Sequence, residues 1–370
     1  MCVGAANITF FLLAARNGNP AYLDFSGLYT AGGLVIEGHS ASMFNPQTQL
    51  EFQHRVLGRP GLLPFMHLPY ESVLFVPLAF LPMTLALWIW RVVSVCMLIC
   101  STRFLADIFN VVRLHVFLLA VGFFPVVVTL YQGQDSILIL LLFSSSLMFL
   151  CREKDRPSGF LIAAAMVKPQ LILPLAAILI WQRGHRFLQG FLGGTAAVLL
   201  ISLAIAGLRG LREMAALWQT AASGSGRLAS SEASAMPNIR GIVWTLGLGA
   251  NTLLLTAILS ALLFLAIAWR LRQQRSPEVL FPPLIAATLL LSVHLYAHDL
   301  VLLIIPMLAL FVTNQKVTSI CAAMCLCMLF FLLLGHFGLF GFVTCSVLLV
   351  TLKYCNATSQ ASHVVLLPGG

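Results

Sequence analysis

Charge is what this sequence has least of. Only 9% of its 370 residues are Asp, Glu, Lys or Arg, and only 12 are acidic. A soluble domain carries about 25% charged residues, so the chain has too little charge to cover a water-exposed surface. Cysteines paired across long polar loops are also missing. The nine cysteines sit in or beside apolar segments, and the Cys321, Cys325 and Cys327 group has no His or carboxylate next to it. That argues against a metal there and for packing. The N-terminus lacks the basic region of a cleavable signal peptide. There is no internal repeat, no low-complexity tract and no Asp-x-Asp metal motif of the nucleotide-sugar kind. The formal charge of +9 comes without a basic stripe interleaved with aromatics, which speaks against a nucleic-acid partner.

What the sequence has in quantity is apolar length. Hydrophobic residues make up 60%, and mean hydropathy is +0.97. Apolar runs lie at 71–101, 114–130, 136–151, 158–181, 188–208, 251–270, 279–295, 299–313, 317–334 and 338–352, with a shorter stub at 2–14. About 20 residues span a bilayer as a helix. The expected fold is therefore an all-α polytopic integral membrane protein of about ten transmembrane helices. It forms a single domain over 1–370, with an outside loop at 15–70 holding short amphipathic helices and a second at 209–250. Pro77 and Pro82 divide the first run into a short helix and a full one.

Basic residues set the orientation. With the 15–70 loop outside, the short inside segments hold twelve of the 21 basic residues, among them Arg152, Lys154, Arg156, Arg183, Arg186, Arg270, Arg272 and Arg275. Outside loops hold seven over longer stretches, and Arg91 and Lys168 fall within apolar runs, Arg91 snorkelling from near a helix end. The 158–181 segment is flanked by basic loops at both ends, which a single crossing cannot satisfy. A re-entrant or broken hairpin turning at Lys168-Pro169 can, because proline disfavours helix at the residue before it.

With this topology the informative polar groups gather on the outside face. They are Asp24, Tyr29, His67 and Glu71 in the first loop, the Tyr131-Gln132-Gly133-Gln134-Asp135 turn, Asn238 and Arg240 in the later loop, and His294, Tyr296, His298 and Asp299, with Lys168 approaching from the membrane. A carboxylate able to act as base, cations able to hold a phosphate, and amide, hydroxyl and aromatic groups suited to a sugar are all present. Taken singly, most have a plainer reading. Asp24 is placed to cap a helix, Lys168 to pair with a carboxylate, and Arg240 to be solvated. Gln134 suits a polar turn, while His67 and Glu71 shape the loop. Asp299 either caps a helix or orients a histidine. His294 and His298 are four apart, but no Glu sits beside the first as a zinc helix requires, so no metal is expected.

Taken in order, these residues resemble glycosyltransferase family 87, a polyprenyl-phosphate-mannose-dependent group of the GT-C superfamily. The resemblance rests on Asp24-Phe25, Tyr29-Thr30-Ala31-Gly32, Gly38 with Met43-Phe44, and His67-Leu68-Pro69-Tyr70-Glu71 leading to Pro77 and Pro82. It continues through Gly133-Gln134, Lys168-Pro169-Gln170, Asn238-Ile239-Arg240-Gly241, and Ser292-Val293-His294 to His298-Asp299. Leu28 stands in place of an aromatic, Leu68 and Val293 in place of prolines, and Met43-Phe44 in place of Leu-Tyr. The resemblance implies an inverting transferase moving a hexose, mannose first, from a polyprenyl-phosphate donor to a glycolipid or glycan acceptor. It would work at the outer face of a bacterial cytoplasmic membrane, among membrane lipids and without a cofactor. Asp24 would be the catalytic base, and Lys168, Arg240, His294, His298, Gln134, Asn238 and Tyr29 would bind substrate. From the residues alone, a transporter or lipid flippase built on broken helices stays open.

Overall fold

The computed structural model describes residues 2–58, 60–222, 233–247, 252–313, 338 and 340–364. The 317–334 run, the Cys321, Cys325 and Cys327 group and residues 223–232 of the second outside loop lie outside them. Every described element is a helix. In chain order these are α1 (Cys2–Asn17), α2 (Phe25–Ile36), α3 (Pro46–Leu57), α4 (Ser72–Ala79), α5 (Met83–Phe109), α6 (Arg113–Gly122), α7 (Phe124–Gln132) and α8 (Ser136–Cys151). There follow α9 (Asp155–Ala164), α10 (Pro169–Arg183), α11 (His185–Ala222), α12 (Ile239–Thr245), α13 (Thr252–Leu271), α14 (Pro277–Leu291), α15 (Ile304–Thr313) and α16 (Phe340–Val364). A 3₁₀ segment, Ala297–Leu303, leads into α15.

Among the described residues, three helices are long and apolar enough to cross a membrane: Met83–Phe109, His185–Thr220 and Leu253–Leu271. They present exposed leucines, valines and isoleucines such as Val92, Leu200, Leu254 and Leu262, as a lipid-facing surface does. The chain is an integral membrane protein. Among the described residues, the other apolar runs appear as shorter apolar helices of 10–17 residues or as one bent pair, which brings the helices or bent pairs of full crossing length to at most four. Pro82 does divide the 71–101 run, into α4 and α5.

The 114–130 run, read as one span, is broken. α6 and α7 meet at 68°. Pro125, at the first turn of α7, has no N–H to give the carbonyl of Val121. The side-chain amide of Asn7 takes over, donating to Val121 O at 3.1 Å and Gly122 O at 3.0 Å. This explains a polar residue in the apolar stub: irregular backbone at membrane depth must find its partners within the protein. Asn7→Leu is expected to cost about 1–3 kcal/mol by leaving these acceptors unsatisfied. A thermal melt in detergent reads this as a lowered midpoint.

The 158–181 segment is a hairpin. Arg183 Nε, at the end of α10, donates to Asp155 Oδ1, at the start of α9, at 2.8 Å, so the chain returns to the level it left. At the other end of the hairpin, Ala164 O accepts a hydrogen bond from the Tyr70 hydroxyl at 2.9 Å. α9 has 10 residues and rises about 15 Å, half the hydrocarbon core. Gln182 and Arg275 tie the same basic end to α13. α11 is not followed by a loop from 209 as expected. It bends at Gly207 (φ 63°) and stays helical to Ala222.

The first loop folds into α2 and α3. α2 was expected to be amphipathic, but Phe25 to Leu34 are all buried. α3 begins at Asn45, whose side chain accepts from the backbone N–H groups of Gln47 and Thr48. Its two buried glutamines grip the chain that follows. Gln49 accepts from Phe65 N–H at 2.7 Å, and Gln53 accepts from Leu63 N–H at 2.9 Å. These bonds hold the extended stretch that delivers His67 to the site.

Candidate active site

The polar residues gathered by the sequence reading meet at the end of the molecule opposite the basic end. Asp24 stands just before α2 in helical conformation (φ −58°, ψ −27°), and its side chain makes no capping bond. The capping reading therefore fails, and the carboxylate is held differently. Its Oδ2 accepts from Gln134 Nε2 at 2.9 Å, and its backbone N–H donates to Gln132 Oε1 at 3.3 Å. Both glutamines reach it because Gly133 takes a left-handed conformation (φ 67°) that ends α7. A Cβ at Gly133 would meet Phe25 Cβ at 2.8 Å and Leu87 Cδ1 at 2.7 Å. The Asp24 side chain remains 30% exposed, and His298 Nδ1 lies 3.9 Å from its Oδ2.

His298 connects Asp24 to a buried ionic network. Its Nε2 is 3.5 Å from Asp299 Oδ2, which also accepts from Tyr296 N–H at 3.2 Å. Asp299 Oδ1 takes the Lys168 ammonium at 2.6 Å and the Ser136 hydroxyl at 2.8 Å. Lys168 Nζ also pairs with Asp135 Oδ1 at 2.9 Å and donates to Ser136 Oγ at 3.0 Å. Asp135 Oδ2 faces His67 Nδ1 at 3.6 Å, and His67 Nδ1 is 2.6 Å from Glu71 Oε2. Burial pulls the His67 pKa down, but the carboxylates of Glu71 and Asp135 outweigh it and hold it above the ordinary imidazole value.

Several expected substrate ligands are already engaged by protein groups. Lys168, 5% exposed, has its ammonium bound by two carboxylates and a hydroxyl, so it is not the free cation expected for a phosphate. The proline-broken hairpin puts it inside the protein, where a lone charge is costly and must be paired. Asn238 is buried. Its Oδ1 caps α12 through Gly241 N–H at 2.9 Å, and its Nδ2 donates to Ser292 O at 2.7 Å. The Tyr29 hydroxyl is spent on Leu81 O at 2.8 Å. Gln134 holds Asp24 where a sugar contact was expected. The Gly of the Asn-Ile-Arg-Gly stretch, Gly241, lies so close to Met236 O that a Cβ would clash at 1.7 Å. Arg91, expected to snorkel, is instead buried, donating to Leu130 O at 3.0 Å and Tyr131 O at 2.9 Å at the end of α7.

The outer groups that remain accessible are Arg240 and His294. Arg240 Nη1 donates to Val293 O at 3.1 Å, and His294 is exposed, edge-on to Tyr296 with ring centroids 4.7 Å apart. Both attach to the 292–299 segment that carries His298 and Asp299. Sequence reasoning missed the pairing of Asp135 and Glu71 with their neighbours. The signal was that Lys168 in an apolar run demands a buried counter-charge.

A family model described as glycosyltransferase family 87 matches residues 65–293, more than half of the chain. The chain belongs to glycosyltransferase family 87. It is therefore a glycosyltransferase, with a sugar donor and an acceptor to bring together, and the transporter reading is set aside. The matched span holds His67, Glu71, Gln134, Asp135, Lys168, Asn238 and Arg240, and begins after Asp24. No curated protein and no solved structure matches the chain.

Proposed function

We propose that this family 87 glycosyltransferase is an inverting hexosyltransferase. It takes a hexose, mannose in the first instance, from a polyprenyl-phosphate carrier to a glycolipid or glycan acceptor at the outer face of a bacterial cytoplasmic membrane. The observation that carries the reading is the state of Asp24. Among the described carboxylates of the polar cluster, Glu71, Asp135 and Asp299 are buried in or against the Lys168 network. Asp24 is the cluster's partly open carboxylate, oriented by Gln134 and backed by His298. A positioned base whose described carboxylate neighbours in the cluster are all buried suits direct displacement.

In this mechanism Asp24 takes the proton of the acceptor hydroxyl as its oxygen bonds to the anomeric carbon. The bond from that carbon to the carrier phosphate breaks, and its electron pair leaves with the phosphate. Arg240 and His294 stand at the accessible edge to receive that phosphate, since a fixed donor aimed at developing charge lowers the barrier. Lys168 acts from behind, holding Asp299 and through it His298. A donor dissolved in the bilayer also accounts for a transferase with so little water-exposed mass.

The test offers purified protein labelled mannose on polyprenyl phosphate, the same carrier bearing glucose, and a nucleotide-linked mannose. Transfer from a lipid-linked donor alone is expected, and transfer from the nucleotide sugar alone overturns the reading. Gln134→Ala is expected to lower kcat by up to about 10²-fold with KM nearly unchanged, because it loosens the base and not the binding of substrate. A rise in KM at constant kcat would instead make Gln134 a sugar ligand.

A further inference from the structure

The ionic network is unbalanced on its His67 side. Glu71, Asp135 and Asp299 are three buried carboxylates, 0%, 0% and 2% exposed, and Lys168 is the ammonium among them. Lys168 occupies Asp135 Oδ1 and Asp299 Oδ1, which leaves Asp135 Oδ2 and Glu71 facing His67. Buried carboxylates need a neutralising partner. A proton on His67 answers Glu71 Oε2 at 2.6 Å. It does not answer Glu71 Oε1, which is fully buried and has no hydrogen-bond partner.

The donor atoms suit another partner. One imidazole nitrogen and two carboxylate oxygens, from His67, Glu71 and Asp135, lie within 4.8 Å of one another. They come from two chain segments that the fold fixes separately: the stretch gripped by Gln49 and Gln53, and the turn between α7 and α8. A tetrahedral ion with ligands at about 2.0–2.2 Å needs its donors roughly 3.3 Å apart. The 2.6 Å and 3.6 Å separations around His67 Nδ1 bracket that spacing. Asp135 is able to serve both neighbours at once, keeping Lys168 on Oδ1 and offering Oδ2.

We propose that His67, Glu71 and Asp135 form a divalent-cation site that takes a borderline ion of the Mn²⁺ or Zn²⁺ class. One nitrogen and two carboxylates favour these ions over Mg²⁺, which prefers an all-oxygen shell with several waters. The ion neutralises the excess carboxylate charge and supplies the partner that Glu71 Oε1 lacks. It also ties the 67–71 turn to the α7–α8 turn that positions Asp24. This site is distinct from the sugar chemistry, and its test needs no donor or acceptor.

Full-length protein in detergent is stripped with EDTA, incubated with Mn²⁺, Zn²⁺ or Mg²⁺, and desalted. Bound metal is counted by mass spectrometry, and thermal melting is followed in parallel. About one equivalent of Mn²⁺ or Zn²⁺ per chain is expected, with a raised melting temperature and no retained Mg²⁺. Affinity is expected to fall at least roughly tenfold in both His67→Gln and Glu71→Gln. Glu51→Gln, at an exposed position on α3, is expected to bind like the parent. Two substitutions on separate residues keep the result readable should one of them fold poorly. No retained ion in the parent, or retention unchanged in both site variants, overturns the proposal and leaves a proton on His67 as the neutralising charge.

Discussion

Asp24→Asn is expected to lower the transfer rate by on the order of 10²–10⁴-fold, the usual contribution of a positioned general base. KM for the lipid donor should change little, because Asp24 acts on the acceptor's proton. Asn has nearly the shape of Asp and can still accept from Gln134 Nε2, so the α2 entry and the α7 turn should keep their geometry. The folding control is therefore demanding: the variant should melt where the parent does. Steady-state kinetics with a saturating labelled donor provide the check. Asp24→Asn turning over at the parental rate would remove Asp24 from the chemistry and leave His298 as the alternative base.

Lys168→Met is expected to have the largest effect on stability. It removes the ammonium 2.9 Å from Asp135 and 2.6 Å from Asp299. Breaking one side of a buried ion network typically costs about 3–5 kcal/mol, because the orphaned carboxylates remain in low dielectric. Adding Asp135→Asn and Asp299→Asn to Lys168→Met should recover much of the loss, since replacing all charged partners is often close to neutral. Transfer should stay low in the triple variant, because His298 no longer has an ionised Asp299 behind it. Denaturant or thermal unfolding of the single and triple variants measures the difference. A single variant as stable as the parent would show that the network carries no net charge requirement.

The contrast between what the sequence made legible and what it concealed is physical. The hairpin at Lys168-Pro169 was readable because two local rules agreed: basic residues flank both ends, and proline breaks helix. The α4–α5 division was readable from Pro82 for the same reason. The α6–α7 break was missed although Pro125 announced it, because the run around it is uniformly apolar and Asn7, which satisfies the freed carbonyls, lies more than a hundred residues away. At the site, the order of the motifs fixed which residues assemble but not which of them pair. Lys168 pairs with Asp135, 33 residues away in the chain, and with Asp299, 131 residues away, and nothing local in the sequence assigns those partners. Asn238 and Tyr29 belong to recognised motifs yet serve the backbone, since a buried polar side chain bonds to whatever the fold leaves unsatisfied.

Single displacement, with Asp24 as base and no covalent sugar intermediate, is the centre of the account. The anomeric configuration of the product formed by the parent enzyme from a lipid-phosphate donor of known configuration tests it most directly, read from the C1–H1 coupling by NMR. Inversion at the anomeric carbon is the predicted result. Retention would require two successive displacements and a carboxylate nucleophile, and would contradict the assignment of Asp24.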